Sequence, residues 1–83
     1  MNYFLIAVKD TAVDAFQPGV HCVRAKGEAM RNFTDLVNDP QSKQLHNHAA
    51  DFELWIIGEL DDQTGIITSK PERLARGTDV KNT

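Results

Sequence analysis

The N-terminal half of the chain carries two clear patterns of apolar residues. Residues 3–8 form an apolar run that does not alternate and that is rich in aromatic and branched side chains. Such a run is typical of a strand that is buried on both faces and lies in the centre of its sheet. Between residues 28 and 38, apolar side chains recur at intervals of three and four, which predicts an amphipathic helix. Pro40 prevents the helix from continuing, so we expect it to end near Asn38.

The C-terminal half is dominated by the pattern of a β-hairpin. Residues 52–60 predict one strand, residues 61–65 predict an Asp-rich turn, and the apolar pair that begins at Ile66 opens a second strand. Gly65 suits a turn residue with positive φ. Gly58, inside the first strand, indicates a bulge or a close approach of another backbone segment.

The remaining segments are less regular. A Pro-Gly pair at residues 18–19 signals a turn, and residues 20–23 after it fit either a short strand or an ordered loop. Residues 41–51 are polar and predict a loop with room for one helical turn. Together the elements predict an α+β fold in which a small sheet with a C-terminal β-hairpin packs against one main helix. We expect a single α+β domain at residues 1–69 and a basic, flexible C-terminal tail at residues 70–83.

Length and composition limit the class of protein. Eighty-three residues make one domain or less, and 41% hydrophobic and 25% charged residues are typical of a folded globular protein. The single cysteine, Cys22, excludes an intrachain disulfide, which favours a reducing cytoplasm over a secreted disulfide-rich fold. The first apolar run is too short to span a bilayer and lacks the basic region of a signal peptide. We therefore expect no membrane anchor and no export signal.

No pattern in the sequence favours an enzyme. The five glycines are scattered rather than grouped in a phosphate-binding loop, and no serine lies in a nucleophile-elbow pattern. His21 and Cys22 are adjacent, and adjacent side chains on a strand point to opposite faces, which argues against a thiol–base pair. A small buried Cys22 beside a half-exposed His21 is favoured instead. We expect no catalytic residue and no cofactor.

A metal site is not favoured either. His46 and His48, with Asp51 three residues further on, are residue types that zinc accepts, but no second Cys or His pair completes a set of four ligands. A helix-capping or surface role is favoured for this segment. The acidic pair at residues 61–62 lies in a loop too short for an EF-hand, so these are hairpin-turn residues. We expect no bound metal.

The net charge of the chain argues against nucleic-acid binding, whereas the distribution of its basic residues favours it. The net charge is −3, whereas a protein held to DNA by phosphate contacts alone is usually basic. The basic residues nevertheless form two groups, one around the start of the helix, where free N–H groups also face outward, and one within residues 67–83, which carry four positive and two negative side chains. The candidate nucleic-acid contacts are Arg24, Lys26 and Arg31 in the first group and Lys70, Arg73 and Arg76 in the second.

Aromatic side chains give the same divided indication. An aromatic side chain exposed on a strand can stack on a base. The aromatic residues in the predicted strands include Tyr3, Phe4, Phe52 and Trp55. With six aromatic residues in the chain, core packing is the simpler role for most of them.

The order of several sequence phrases resembles a known family. The phrases are residues 3–10, Ala15-Phe16 with Pro18 close behind, residues 27–38 and residues 51–65. In this order and spacing they resemble the small nonstructural protein of gokushoviruses, which are single-stranded DNA phages of the microvirus family. One phrase departs from the family pattern, because the expected His-Pro-x-Asp before the hairpin reads His48-Ala49-Ala50-Asp51 here.

The resemblance implies a protein that is made in the cytoplasm of the infected bacterial host and is absent from the mature capsid. By analogy with related microviruses, it implies DNA binding during single-stranded genome synthesis and packaging. It supplies no catalytic residue. Arg31 matches the family pattern within the helix phrase and is our first choice for a contact residue.

Two functions therefore remain open. One is a DNA-binding accessory protein, with single-stranded DNA as the expected partner. The other is an adaptor that docks on phage or host replication or packaging proteins without contacting DNA. For either function we expect a homodimer, because a first strand buried on both faces in so small a chain requires covering.

Overall fold

Five strands and three α-helices make up the described part of the chain. The structure is a computed structural model, and it describes residues 2–82. The strands are β1 (Asn2–Asp10), β2 (Ala15–Phe16), β3 (His21–Val23), β4 (Phe52–Asp61) and β5 (Ile67–Arg76). The helices are α1 (Lys26–Asn38), α2 (Lys43–Asn47) and α3 (Gly77–Val80), with a 3₁₀ turn at Ala49–Asp51. This is the predicted α+β class.

The strands form one antiparallel sheet in the order β2-β1-β4-β5. β2 and β3 both pair with the edge of β1 that faces away from β4, β3 near the start of β1 and β2 at its end. β1 is central, as predicted. Its burial on both faces is confirmed only at Ile6 and Ala7, which are 4% and 2% exposed. Tyr3 and Leu5 remain half-buried. The reason is that the helices cover only one of the two faces of the sheet.

Helix α1 packs across the sheet through the apolar face that its periodicity predicts. Ala29, Phe33 and Val37 are buried, and they form one cluster with residues of β1 and β4 that includes Ile6 and Leu54. Leu45 of α2 and Val80 of α3 pack against the same cluster. All three helices therefore lie on the same side of the sheet.

The hairpin of β4 and β5 also agrees with the sequence prediction. Gly65 has a φ of 76°, and its N–H donates to the Asp61 carbonyl at 2.8 Å. The backbone N–H of Gln63 donates to the Asp61 side chain, which lowers the pKa of that carboxyl. The register shifts between Ile56 and Gly58, and a Cβ on Gly58 would lie 2.5 Å from the Thr68 carbonyl oxygen. Gly58 thus marks both a bulge and a close approach.

The C-terminal segment differs from the prediction of a tail. The predicted boundary between residues 69 and 70 lies inside β5, which continues to Arg76. Leu74 packs against the core and Ala75 is buried, so these two apolar residues hold the charged segment in the sheet. The Lys81 ammonium then donates to carbonyls of α1 and α2.

Two smaller predictions also need correction. Residues 41–51 contain more helix than one turn, because α2 and the 3₁₀ turn both lie there. Cys22 is exposed rather than buried, since β3 is short and the Cys22 side of the sheet carries no helix within the described residues.

Candidate nucleic-acid interface

The face of the sheet opposite the helices carries a continuous set of charged and aromatic side chains. Lys9 pairs with Phe16 on one side and with Glu53 on the other, and Glu53 pairs with Arg76. Residues directly opposite each other on neighbouring strands project from the same face. These four residues therefore form one row across β2, β1, β4 and β5, which spans about 14 Å at the usual strand spacing.

A second row lies beside the first. Ala7 pairs with Trp55, and Trp55 pairs with Arg73. We call the surface formed by the two rows the open face; it consists of Ala7, Lys9, Phe16, Glu53, Trp55, Arg73 and Arg76. Within residues 2–82, the helices contact the other side of the sheet and not this one. Ala7 is nevertheless 2% exposed, so the larger side chains form the accessible part of the open face.

A bulge brings the two arginines of β5 onto this face. Glu53 and Trp55 are two residues apart, whereas their partners Arg76 and Arg73 are three apart, because the register shifts between Leu54 and Trp55. In a regular strand, residues three apart project to opposite faces. The extra residue of the bulge reverses this relation, so both guanidinium groups lie on the open face.

The aromatic rings of the open face contact each other and a cation. Phe16 and Trp55 meet edge to face, with 5.7 Å between ring centroids and 82° between planes. The Lys9 ammonium lies 5.8 Å from the Phe16 centroid and 5.6 Å from the Trp55 centroid. Both distances are within the range of cation–π attraction. The Phe16 side chain remains accessible to solvent, because this residue is 44% exposed.

Glu53 is the acidic centre of the open face. Trp55 Nε1 donates to its Oε1 at 3.0 Å, and Arg73 Nη1 donates to its Oε2 at 3.2 Å. The indole hydrogen bond, followed by the Arg73 guanidinium, lowers the pKa of Glu53. Lys9 similarly pairs with Asp14 at 3.3 Å. An anion that binds here must therefore compete with carboxylates for Lys9 and Arg73.

The six basic residues predicted from the sequence do not form one cluster. Only Arg73 and Arg76 lie together on the open face. The other four are exposed and do not belong to its two rows. Arg24 stacks on Tyr3 at 6.0 Å, Lys26 lies over Phe4 and 3.9 Å from Glu72, Arg31 is on α1, and Lys70 is on β5.

Lys9 and Phe16 were not among the site residues predicted from the sequence. Trp55 was a candidate for base stacking, but a core role was favoured for most aromatic residues. Phe4 packs against the core and Phe52 is buried in it, whereas Trp55 lies on the open face. The alternation of side chains between the two faces of β4 distinguishes Trp55 from Phe52, because Phe52, Leu54 and Ile56 are buried and Trp55 is not.

His46 and His48 lie in the segment that contains the zinc-type residues considered above. No group of three or more potential metal-ligating side chains occurs within residues 2–82. His46 Nδ1 lies 3.1 Å from the Val37 carbonyl and 2.7 Å from the Lys81 ammonium. This arrangement joins the C-terminal ends of α1 and α2, which is a structural role.

A family model described as Phage ORF5 protein matches residues 3–80. Neither a curated protein nor a solved structure matches the chain. Among the described residues, no helix has the length and apolar character needed to cross a bilayer.

Proposed function

This chain belongs to the Phage ORF5 protein family, and we propose that it is a DNA-binding accessory protein acting in single-stranded genome synthesis and packaging. As a phage protein it acts in the infected host. The finer assignment, to the small nonstructural protein of gokushoviruses, is part of the proposal and rests on the resemblance of the sequence phrases. The open face is the observation that supports DNA binding most strongly.

The local charge of the open face, rather than the total charge of the chain, determines whether it attracts a phosphate. The chain as a whole has a net charge of −3, but the open face combines three cations, Lys9, Arg73 and Arg76, with the carboxylate of Glu53. A second carboxylate, that of Asp14, lies 3.3 Å from Lys9. Three phosphate contacts on a single strand predict a slope of about −2 in log K against log salt concentration. Affinity should then fall about 20-fold between 50 and 200 mM salt.

The test is fluorescence anisotropy with a labelled single-stranded oligonucleotide and a duplex of equal length, at both salt concentrations. The variant Arg73→Gln/Arg76→Gln removes two cations from the open face. We expect it to weaken binding and to reduce the salt slope by about 1.4, since each lost contact contributes about 0.7.

Arg31→Gln is the control, because Arg31 is an exposed arginine of α1, on the helix side of the sheet; it removes one cation, whereas the double variant removes two. It also tests the contact residue that the sequence resemblance favours. Binding that survives Arg31→Gln and fails in the β5 double variant supports the open face. The reverse result would refute the proposal that DNA binds the open face and would assign the contact to the surface of α1.

The adaptor function has one specific observation in its favour. Leu36 on α1 is 42% exposed and lines an apolar cleft with Val8 and Val23. A protein partner could bury this side chain without any DNA contact. Absence of binding to either oligonucleotide at low salt would overturn the DNA-binding proposal and favour the adaptor.

A further inference from the structure

We propose that Phe16 and Trp55 form a nucleobase-stacking site, which makes the protein selective for single-stranded over double-stranded DNA. This inference rests on the proposed function and adds to it the part of the nucleic acid that is recognised. The reasons are the exposure of the Phe16 ring, the position of the cations around the two rings and the geometry of a base in a duplex.

The first reason is that a large aromatic ring is held at the accessible margin of the open face. Phe16 belongs to a strand of two residues and remains 44% exposed, although its ring contacts Trp55. Bases of a single strand have unpaired π-faces, and stacking on protein aromatics is a sequence-tolerant way to bind them. Because the two ring planes are nearly perpendicular, one base cannot lie flat on both, so the pair provides a site for one or two bases.

The second reason is that the cations are adjacent to the rings. The Lys9 ammonium is within 5.8 Å of both ring centroids, and Arg73 is directly opposite Trp55 on the neighbouring strand. A nucleotide whose base stacks on either ring therefore has positive charge within reach of its own or the next phosphate. This combination of ring and cation is the arrangement by which single strands are bound without sequence preference.

The third reason is the cost that a duplex would incur. A base pair within a duplex is already stacked on both faces, and exposing one base requires unstacking and unpairing. A single strand avoids that cost. The open face should therefore bind duplex DNA only through phosphates, and more weakly.

The experiment uses three oligonucleotides of equal length: a single strand, a duplex and a single strand with abasic sites in place of bases. The abasic strand retains the phosphates and removes the bases. Trp55 is the only tryptophan in the chain, so tryptophan fluorescence, excited at a wavelength that tyrosine does not absorb, reports on this site alone. We expect saturable quenching by the single strand and at least about tenfold weaker binding of the abasic strand and the duplex.

Two variants test the ring itself. Phe16→Leu keeps an apolar side chain but removes the π-face, so we expect single-strand affinity to fall about tenfold while abasic-strand affinity stays unchanged. Phe16→Trp keeps a ring and should retain single-strand binding. Circular dichroism of each variant confirms that the sheet is intact.

The outcomes separate this inference from the proposed function. Equal binding of the single strand and the abasic strand would overturn base stacking while leaving phosphate binding in place. Failure of all three oligonucleotides to bind at low salt would overturn the proposed function and this inference together. Selective loss in Phe16→Leu, with rescue in Phe16→Trp, would support both.

Discussion

The substitution Glu53→Gln should lower stability and raise DNA affinity at the same time. Glu53 accepts hydrogen bonds from Trp55 and Arg73, so its carboxylate holds the open face together. It is also the negative charge that a phosphate must displace from Arg73. Glutamine retains a carbonyl oxygen for the indole and removes the charge.

The expected magnitudes follow from the exposure of the partners. The Arg73 side chain is 43% exposed and the Glu53 side chain 14%, so the ion pair belongs to the weak class of about 0.2–1 kcal/mol. Replacing a charged acceptor by a neutral one at Trp55 adds a loss of the same order. We expect the free energy of unfolding to fall by about 1 kcal/mol. Removing a charge a few ångströms from bound phosphate should strengthen DNA binding by about 0.5–1 kcal/mol, or two- to fivefold.

The dependence of stability on pH identifies the source of the loss. The pKa of Glu53 in the folded protein is below its ordinary value of 4.5. Its contribution is therefore complete above that value and is lost as pH falls through the lowered pKa. Urea unfolding of both proteins should show the full difference at pH 7 and convergence in strong acid. A variant that loses both stability and DNA affinity at pH 7 would refute the reasoning, because Glu53 would then support binding instead of competing with it.

Three further predictions concern the stability of the fold and the oligomeric state. Gly77→Ala should cost several kcal/mol in urea unfolding, because its Cβ would lie 2.0 Å from the Ala49 carbonyl oxygen, whereas Gly27→Ala, with open space, should be neutral or gain up to about 1 kcal/mol. Lys81→Met should cost about 1 kcal/mol by removing the donor to the Val37 carbonyl. We expect sedimentation to give a dimer of twice 9.3 kDa, because the apolar side chains of Ile66 and Ile67 at the hairpin turn are exposed. A monomer would contradict this expectation.

The elements that were predictable are those whose pattern is local. The helix follows from apolar spacing and a following proline, and the observed α1 (Lys26–Asn38) begins two residues before the predicted start. The hairpin follows from two apolar runs around an Asp-rich turn closed by Gly65. In each case the residues that determine the element are within a few positions of one another.

The continuation of β5 was not predictable from such patterns. Lys70, Pro71 and the charged residues that follow have the composition of a solvated terminus. Their strand conformation depends on pairing with β4, which lies about 20 residues earlier in the chain. Proline is tolerated because β5 pairs with a single neighbour among the described strands.

The open face could not be predicted from local patterns, because its composition depends on the register in which the strands pair. Phe16 and Arg76 belong to the same row only through Lys9 and Glu53, which come from two other strands. Arg73 and Arg76 share a face only because a bulge inserts one residue between them. A count of charges along the chain therefore assigned these arginines to a tail and left Lys9 unconsidered. The physical consequence is that DNA binding by this face would be coupled to folding of the sheet: any change that removes the bulge would turn one guanidinium to the opposite face, and would weaken binding without altering the net charge.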